Sequence, residues 1–401
     1  MIVVQKFGGT CVETAERREL ACQRVKDALQ EGNQVVVVVS AMGRSGEPYA
    51  TDTLISLARQ VHHGISAREM DLLVSCGEIV SAVVMVQELQ ERGIEAVALS
   101  GGQAGIVTDA AFGDAKITSV EPDYILGHLN KGRVVVVAGF QGRTPSGEIT
   151  TLGRGGSDMT ATALGGALNA ACVEIYTDVE GIMTADPRIV TDAKTIPLAS
   201  YDEVTQLARE GARVVQPRAV EMAQRAGLPV WIRSMSEESR KTLMTCGKKD
   251  NLWLYWTCGR PIAGVTSRSG LAQVLAHLPD EREMETTAKA FELLKGISLD
   301  LINVFPDHFS VAVDKRDAGR AVGLLESLGI YAGTLRDKAK VTAVGYGISG
   351  RPGIMERLVD ALWSQKIHVY ASSDSNTSLS CLVDEEQLNR AVNVVHSACA
   401  L

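Results

Sequence analysis

Ile2-Val3-Val4-Gln5-Lys6-Phe7-Gly8-Gly9-Thr10 is the stretch from which the fold of this chain is read. A short apolar, β-branched run ends in a lysine and two glycines, and a helical pattern follows at once. Paired glycines let the backbone approach a ligand closely, a helix start offers free N–H groups to anions, and a lysine adds a point charge suited to phosphate. Taken alone, a tight strand-to-helix turn with a surface lysine explains the same residues.

The alternation continues outward. Strands are expected at Ile2–Phe7, Gln34–Ser40, Glu95–Leu99, Arg133–Ala138, Val173–Thr177 and Val230–Arg233. Their nearly continuous apolar character fits strands covered on both faces, as in a parallel sheet. Helical stretches fall between them at Val12–Glu31, Ala67–Arg92, Asp158–Asn169 and Tyr201–Glu210, with Gly32 and Gly93 as stops. Such an order predicts an α/β, three-layer αβα domain with an open, mostly parallel sheet over residues 1–245. The polar residues 235–249 and the aromatic run Trp253, Tyr255, Trp256 mark a boundary near 245–260. Beyond it, two similar strand and helix patterns predict two small ferredoxin-like units, 260–335 and 336–401. The first holds Thr286–Leu294, Leu299–Val304 and Phe309–Val313. The second holds Lys340–Gly345, Gly353–Gln365, Ile367–Ala371 and Ser378–Val383.

Composition narrows the function. The chain has 401 residues, room for two or three domains, and 22% of them are charged, as in a folded globular protein. Its net charge of −8 argues against coating nucleic acid. No apolar run approaches the roughly 18 residues of a membrane span, the longest β-like run being Val35–Val39. Residues 1–6 lack the pattern of a secretory signal. Eight scattered cysteines without a Cys-x-x-Cys pair read as reduced cytosolic thiols. A cytoplasmic, soluble protein is expected.

Further motifs join the first. Thr151-Leu152-Gly153-Arg154-Gly155-Gly156-Ser157-Asp158 makes a second glycine-rich helix start with a cation beside it. Thr177-Asp178-Val179-Glu180-Gly181 and Thr184-Ala185-Asp186-Pro187-Arg188 follow a strand, on the carboxyl edge where open α/β sheets bind ligands. Ser75-Cys76-Gly77-Glu78 places a carboxylate inside an apolar helical stretch, where it needs a partner: a structural cation or a ligand ammonium. A Walker-type loop and the protein-kinase motifs are absent. Gly345-Tyr346-Gly347-Ile348-Ser349-Gly350 imitates a dinucleotide fingerprint with Asp374 beyond it, but too little chain follows for such a domain.

Together these motifs, with Val39-Ser40-Ala41-Met42-Gly43, Ala193-Lys194, Ser200-Tyr201, Glu203 and Gln216-Pro217-Arg218-Ala219-Val220-Glu221, resemble the aspartate kinases of the amino-acid kinase superfamily over the first 235 residues. The tail is similar to that family's tandem ACT domains, and Gly43–Asp52 is similar to the diaminopimelate-inhibited isozymes. The resemblance implies phosphoryl transfer from ATP to the β-carboxylate of L-aspartate, with Mg²⁺ carried by the nucleotide and no metal held by protein residues. Lys6, Arg154 and Asp178 would be catalytic. Lys6, Phe7, Gly8, Gly9, Ser40, Thr177, Asp178, Met183, Thr184, Asp186, Pro187, Arg188 and Arg213 would serve ATP. Thr51, Glu78, Arg154, Gly155, Gly156 and Ser157 would hold aspartate. Ser349, Gly350, Arg351, Pro352, Gly353, Asp374 and Asn376 would face a regulatory amino acid, meso-diaminopimelate ahead of lysine or threonine. Partners implied are this substrate, that effector and a second copy of the chain joined through the ACT domains, without nucleic acid or membrane. Two other readings stay open: another amino-acid kinase, and a catalytically inactive amino-acid sensor. Cys11, where relatives often carry serine, is expected to have a lowered thiol pKa at its helix start and mild oxidation sensitivity.

Overall fold

The computed structural model describes residues 1–212, 214–236, 240–246, 261–278, 283–348, 351–399 and 401. Arg213, Ser349, Gly350 and the aromatic run around Trp253 therefore lie outside the described residues. The chain divides into two compact units, 1–182 with 195–205 and 214–249, and 183–194 with 206–213 and 250–401. Two segments read from sequence as part of the first 245 residues thus compact with the second unit.

In the first unit the expected parallel sheet is present. Its eight strands run in the order Leu198–Ser200, Lys241–Thr245, Val230–Arg233, Cys172–Tyr176, Ile2–Phe7, Gln34–Val39, Val134–Ala138, Ala96–Leu99. Only Val230–Arg233 and Lys241–Thr245 pair antiparallel. Val35 to Val39 are each at most 1% exposed, which is the physical basis of their unbroken apolar run. Helices Ala15–Gln30 and Ala67–Glu91 cover one face through Ala21, Val25, Met85 and Leu89 against Val35, Val37 and Val136. Gly156–Ala167, almost wholly buried, packs on Ile2–Phe7 and Gln34–Val39.

Differences from expectation are local. The single helix expected at Val12–Glu31 is two, Gly9–Val12 and Ala15–Gln30. The break falls where the extended Thr14 caps the second helix by accepting the Arg17 N–H. Helices Thr51–Val61 and Pro217–Ala226, and a four-stranded sheet of Ile117–Val120, Ile106–Thr108, Gln141–Arg143 and Ile149–Thr151, were not among the expected elements, although Pro217 at the first turn and Gly227 at the cap mark the second helix in sequence. Ala67–Glu91 corrects the statement that no apolar run approaches a membrane span. By length and composition it has that character, and half of its most apolar window is buried inside the protein.

The second unit carries one six-stranded sheet, ordered Asp300–Val304, His308–Asp314, Gly264–His277, Tyr331–Val344, Ser378–Asp384, Ala371–Ser375. Among the described residues two helix-covered cores lie along it, beside a smaller cluster of Leu271, Leu301, Ala312 and Leu382. Helices Glu283–Leu294 and Ala318–Glu326 enclose one, and Ile354–Ser364 and Leu388–Ala398 the other. The 14-residue strands Gly264–His277 and Tyr331–Val344 serve both halves, with a register shift between Arg268 and Leu271 where one half gives way to the next. The sequence division at 335/336 falls inside the second of these strands. The strand expected at Ile367–Ala371 is instead Ala371–Ser375. Ile367 is fully buried in the helix-side core, and the ladder with Ser378–Asp384 starts at Ala371.

Candidate active site

Four neighbouring parallel strands end in one row. Phe7 is in register with Tyr176 and with Val39, and Val39 with Ala138. The ladder extends one residue further, since the N–H groups of Gly8, Ser40 and Gly139 donate to the carbonyls of Tyr176, Phe7 and Val39. Gly8, Ser40, Gly139 and Thr177 therefore stand side by side at the carboxyl edge of the sheet, where an open α/β sheet binds its ligands.

Close backbone packing holds the loops that surround this row. A Cβ on Gly9 would lie 2.6 Å from the Ala41 carbonyl oxygen, so only glycine lets these two loops meet, and the Gly43 N–H donates to the Gly9 carbonyl. A Cβ on Gly139 would lie 2.8 Å from Ser157 Oγ, which places Ser157 against the same row. Gly155 adopts φ +73° as the cap of Gly156–Ala167, setting Arg154 just outside the helix.

The charges of this unit are arranged as follows. Lys6 Nζ lies 2.8 Å from Asp158 Oδ1, both side chains about nine-tenths buried. A Cβ on Gly8 would sit 3.6 Å from the same ammonium, so the glycine leaves open the space beside it. Arg154 is exposed and has no hydrogen-bond or ion-pair partner among the described residues. Asp178, also exposed, takes Arg44 Nη2 at 2.9 Å. Glu78 is 3% exposed; its Oε1 accepts the Ala41 N–H at 3.2 Å and its Oε2 has no partner among the described residues. Burial pushes the Glu78 carboxyl up to about 8, partly opposed by that hydrogen bond. Thr51 opens the helix Thr51–Val61, which packs on the helix bearing Glu78.

Cys11 departs from expectation. It is 1% exposed, and burial raises its pKa against the lowering influence of Lys6 and of the Gly8 hydrogen bond. Desolvation outweighs the helix start, so the thiol is not activated.

The other residues expected at the nucleotide belong to the second unit. Asp186 and Arg188 form a two-pronged pair, with Nε to Oδ1 at 3.0 Å and Nη2 to Oδ2 at 2.6 Å. The guanidinium holds the Asp186 carboxyl below its ordinary range. Thr184 is buried, and its hydroxyl meets His396. Among the expected effector residues, Gly353 caps Ile354–Ser364 at φ +84°, and Asp374 and Asn376 are exposed near the hairpin between Ala371–Ser375 and Ser378–Asp384. A cavity of about 660 Å³ in the first unit, lined by Lys116, Leu152, Thr162, Arg218 and Met222 among others, contains none of these residues.

Residues 1–234 match the Amino acid kinase family, and 341–399 match an ACT domain. Aspartokinase 1 of Bacillus subtilis is 41% identical over 411 residues, covering 100% of this chain and 99% of the relative. The chain belongs to the aspartokinases of the amino acid kinase family. Among solved structures, aspartokinase III of E. coli in complex with aspartate and ADP (R-state) superposes with a TM-score of 0.79 at 25% identity, covering 99% of both chains. The same enzyme in complex with lysine and aspartate (T-state) gives 0.73 at 26%, again with 99% coverage of both. This aspartokinase is thus a kinase-class enzyme with ACT-type regulation.

Two acidic residues that matter to the site were not singled out for it by sequence. Asp158 was read only as the acid of a helix start, whereas it is the partner of Lys6. Asp71, 1% exposed, accepts the N–H groups of Gly113 and Thr151 and the Thr151 hydroxyl, tying down the strand that leads into Arg154. The available signal was spacing: Asp71 and Glu78 are seven residues apart in one apolar helix and so share a face.

Proposed function

We propose that this enzyme transfers the γ-phosphoryl group of ATP to the β-carboxylate of L-aspartate, giving 4-phospho-L-aspartate. The supporting observation is the row of strand ends, where Lys6, fixed by Asp158, borders the space left open at Gly8. An aspartate carboxylate, with an ordinary pKa of about 3.9, is ionised at pH 7 and attacks without a general base. One carboxylate oxygen bonds to the γ-phosphorus as the bond to the ADP oxygen breaks, and ADP leaves. The residues therefore position the reactants and neutralise charge.

In this reading Lys6 meets the transferring phosphoryl group, with Phe7, Gly8, Gly9, Ser40, Thr177 and Asp178 around the phosphates. Arg154, whose guanidinium has no partner among the described residues, binds a substrate carboxylate, and Gly155, Gly156, Ser157 and Thr51 complete that side. Glu78 Oε2 accepts the substrate ammonium, which returns the carboxyl to its ionised form. Met183, Thr184, Asp186, Pro187 and Arg188 serve the rest of the nucleotide, as would Arg213. Mg²⁺ arriving on the nucleotide supplies further charge neutralisation.

The reaction opens the route to diaminopimelate and lysine, threonine and methionine in the cytoplasm. Feedback acts through the ACT region of a homo-oligomer, with meso-diaminopimelate as effector near Arg351, Pro352, Gly353, Asp374 and Asn376. The test is turnover of purified protein with Mg-ATP and L-aspartate, trapping the acyl phosphate as hydroxamate. Hydroxamate suppressed by millimolar meso-diaminopimelate is expected. Hydroxamate without suppression overturns the effector, and none with aspartate overturns the reaction.

A further inference from the structure

The segment 183–194 compacts with the second unit and has no helix or extended strand of its own, so its shape is set by what holds it. Ala185 and Val190, 4% and 1% exposed, belong to the same core as Leu358, Leu362, Val392 and Val395. The Val265 N–H donates to the Thr184 carbonyl at 2.7 Å, and Asn393 Nδ2 donates to the Ile189 carbonyl at 3.0 Å. Thr184 closes the segment on itself: its N–H donates to the Lys194 carbonyl, and its hydroxyl oxygen accepts the Lys194 N–H at 2.9 Å.

That hydroxyl has a further contact, His396 Nε2 at 3.0 Å. His396 is 1% exposed and stands on Leu388–Ala398, inside the region matching an ACT domain. Burial keeps the ring below its ordinary pKa and therefore neutral at pH 7. The Thr184 hydroxyl oxygen already accepts from Lys194, and its O–H can donate to Nε2 of the neutral ring in the tautomer that carries its proton on Nδ1. Two buried polar groups that satisfy each other fix the turn two residues before Asp186.

We propose that His396 is a positioning residue for the nucleotide: through the Thr184 hydroxyl, the last ACT helix sets the conformation of the 184–188 turn and hence the affinity for ATP. This rests on the reading that Asp186 and Arg188 serve ATP. It gives the regulatory region a direct grip on a nucleotide-contacting segment, built from two side chains 212 residues apart in the chain.

The test uses the full-length protein and the variants His396→Leu, His396→Gln, Thr184→Val and Arg188→Ala, each checked for a cooperative melt. KM for ATP, KM for aspartate and the Kd for ADP by equilibrium dialysis are measured. Loss of one buried hydrogen bond predicts that His396→Leu and Thr184→Val raise the ATP KM and ADP Kd about fivefold, with the aspartate KM unchanged. His396→Gln retains an acceptor and restores both. The double variant is no worse than the single ones, because both remove the same bond. If His396→Leu does not fold, His396→Asn, whose shorter amide withdraws the group that meets the Thr184 hydroxyl, is measured in its place. An unchanged ATP KM in a folded variant, or an equal rise for aspartate, overturns the proposal. Arg188→Ala separates the two readings. If it raises the ATP KM while His396→Leu does not, only the positioning role fails; if Arg188→Ala has no effect, the nucleotide assignment itself fails.

Discussion

Glu78 shows what one residue's environment does to both stability and chemistry. Its carboxyl stands near 8 in the fold against an ordinary 4.5, so the folded state holds a proton that the unfolded chain has released. Stability from this group therefore falls as pH rises from about 4.5 to about 8 and is flat above. Glu78→Gln, which mimics the protonated form, is expected to be more stable than the parent by on the order of 3 kcal/mol at pH 8.5 and equal near pH 5. Urea denaturation at the two pH values measures it; a gap that does not grow with pH refutes the burial argument. The same variant is expected to raise the aspartate KM, since the ammonium loses its counter-charge. Sequence identified Glu78, Lys6 and Arg154 because a charge beside glycines or inside an apolar helix stands out along the chain. The Lys6–Asp158 partnership was hidden, because which of many acids meets a lysine depends on distances across 152 positions. Cys11 went the other way: a helix start was visible in sequence, and the burial that outweighs it was not.

Among elements, the glycine turns separate by what surrounds them. Gly9 faces the Ala41 carbonyl at 2.6 Å, and Ala41 is itself tied to Glu78 by its N–H, so neither backbone can yield cheaply. Gly9→Ala is expected to destabilise the fold by roughly 2–4 kcal/mol and to depress turnover. Gly127, within Asp123–Leu129, has nothing within 4 Å of its Cβ position, and Gly127→Ala should instead stabilise by about 0.5–1 kcal/mol. Opposite signs in one denaturation series are the check; destabilisation of equal size at both positions would contradict the close-approach argument. The parallel strands were readable because burial on both faces makes them uniformly apolar. The four-stranded sheet was not, since Gln141–Arg143 and Ile149–Thr151 are only three residues each and mix polar with apolar residues. Of the two long strands of the second unit, Gly264–His277 was not among the expected strands and only the end of Tyr331–Val344 was, as Lys340–Gly345; a register shift interrupts the pairing of the two.

For the whole molecule, the consequence of the two-unit division is that a cut after residue 245 does not follow the packing. A fragment 1–245 carries Ala185 and Val190 without the Leu358, Val392 and Val395 they pack on, together with Glu210, whose carboxylate meets Lys340 at 2.6 Å. Expressed alone, it is expected to aggregate or to melt well below the full chain, measured by soluble yield and thermal scanning; a fragment as stable as the parent would show that these contacts contribute little. Sequence by itself determined the layered α/β class, the glycine turns beside Lys6 and Arg154, and the family, because periodicity and local motifs are properties of neighbouring residues. Tertiary structure alone decided that Asp158 pairs with Lys6, that burial raises the Glu78 carboxyl and the Cys11 thiol above their ordinary values, and that residues 183–194 compact with the second unit. Each of these depends on desolvation and on contacts between residues far apart in the chain, and neither quantity is present in any local stretch of sequence.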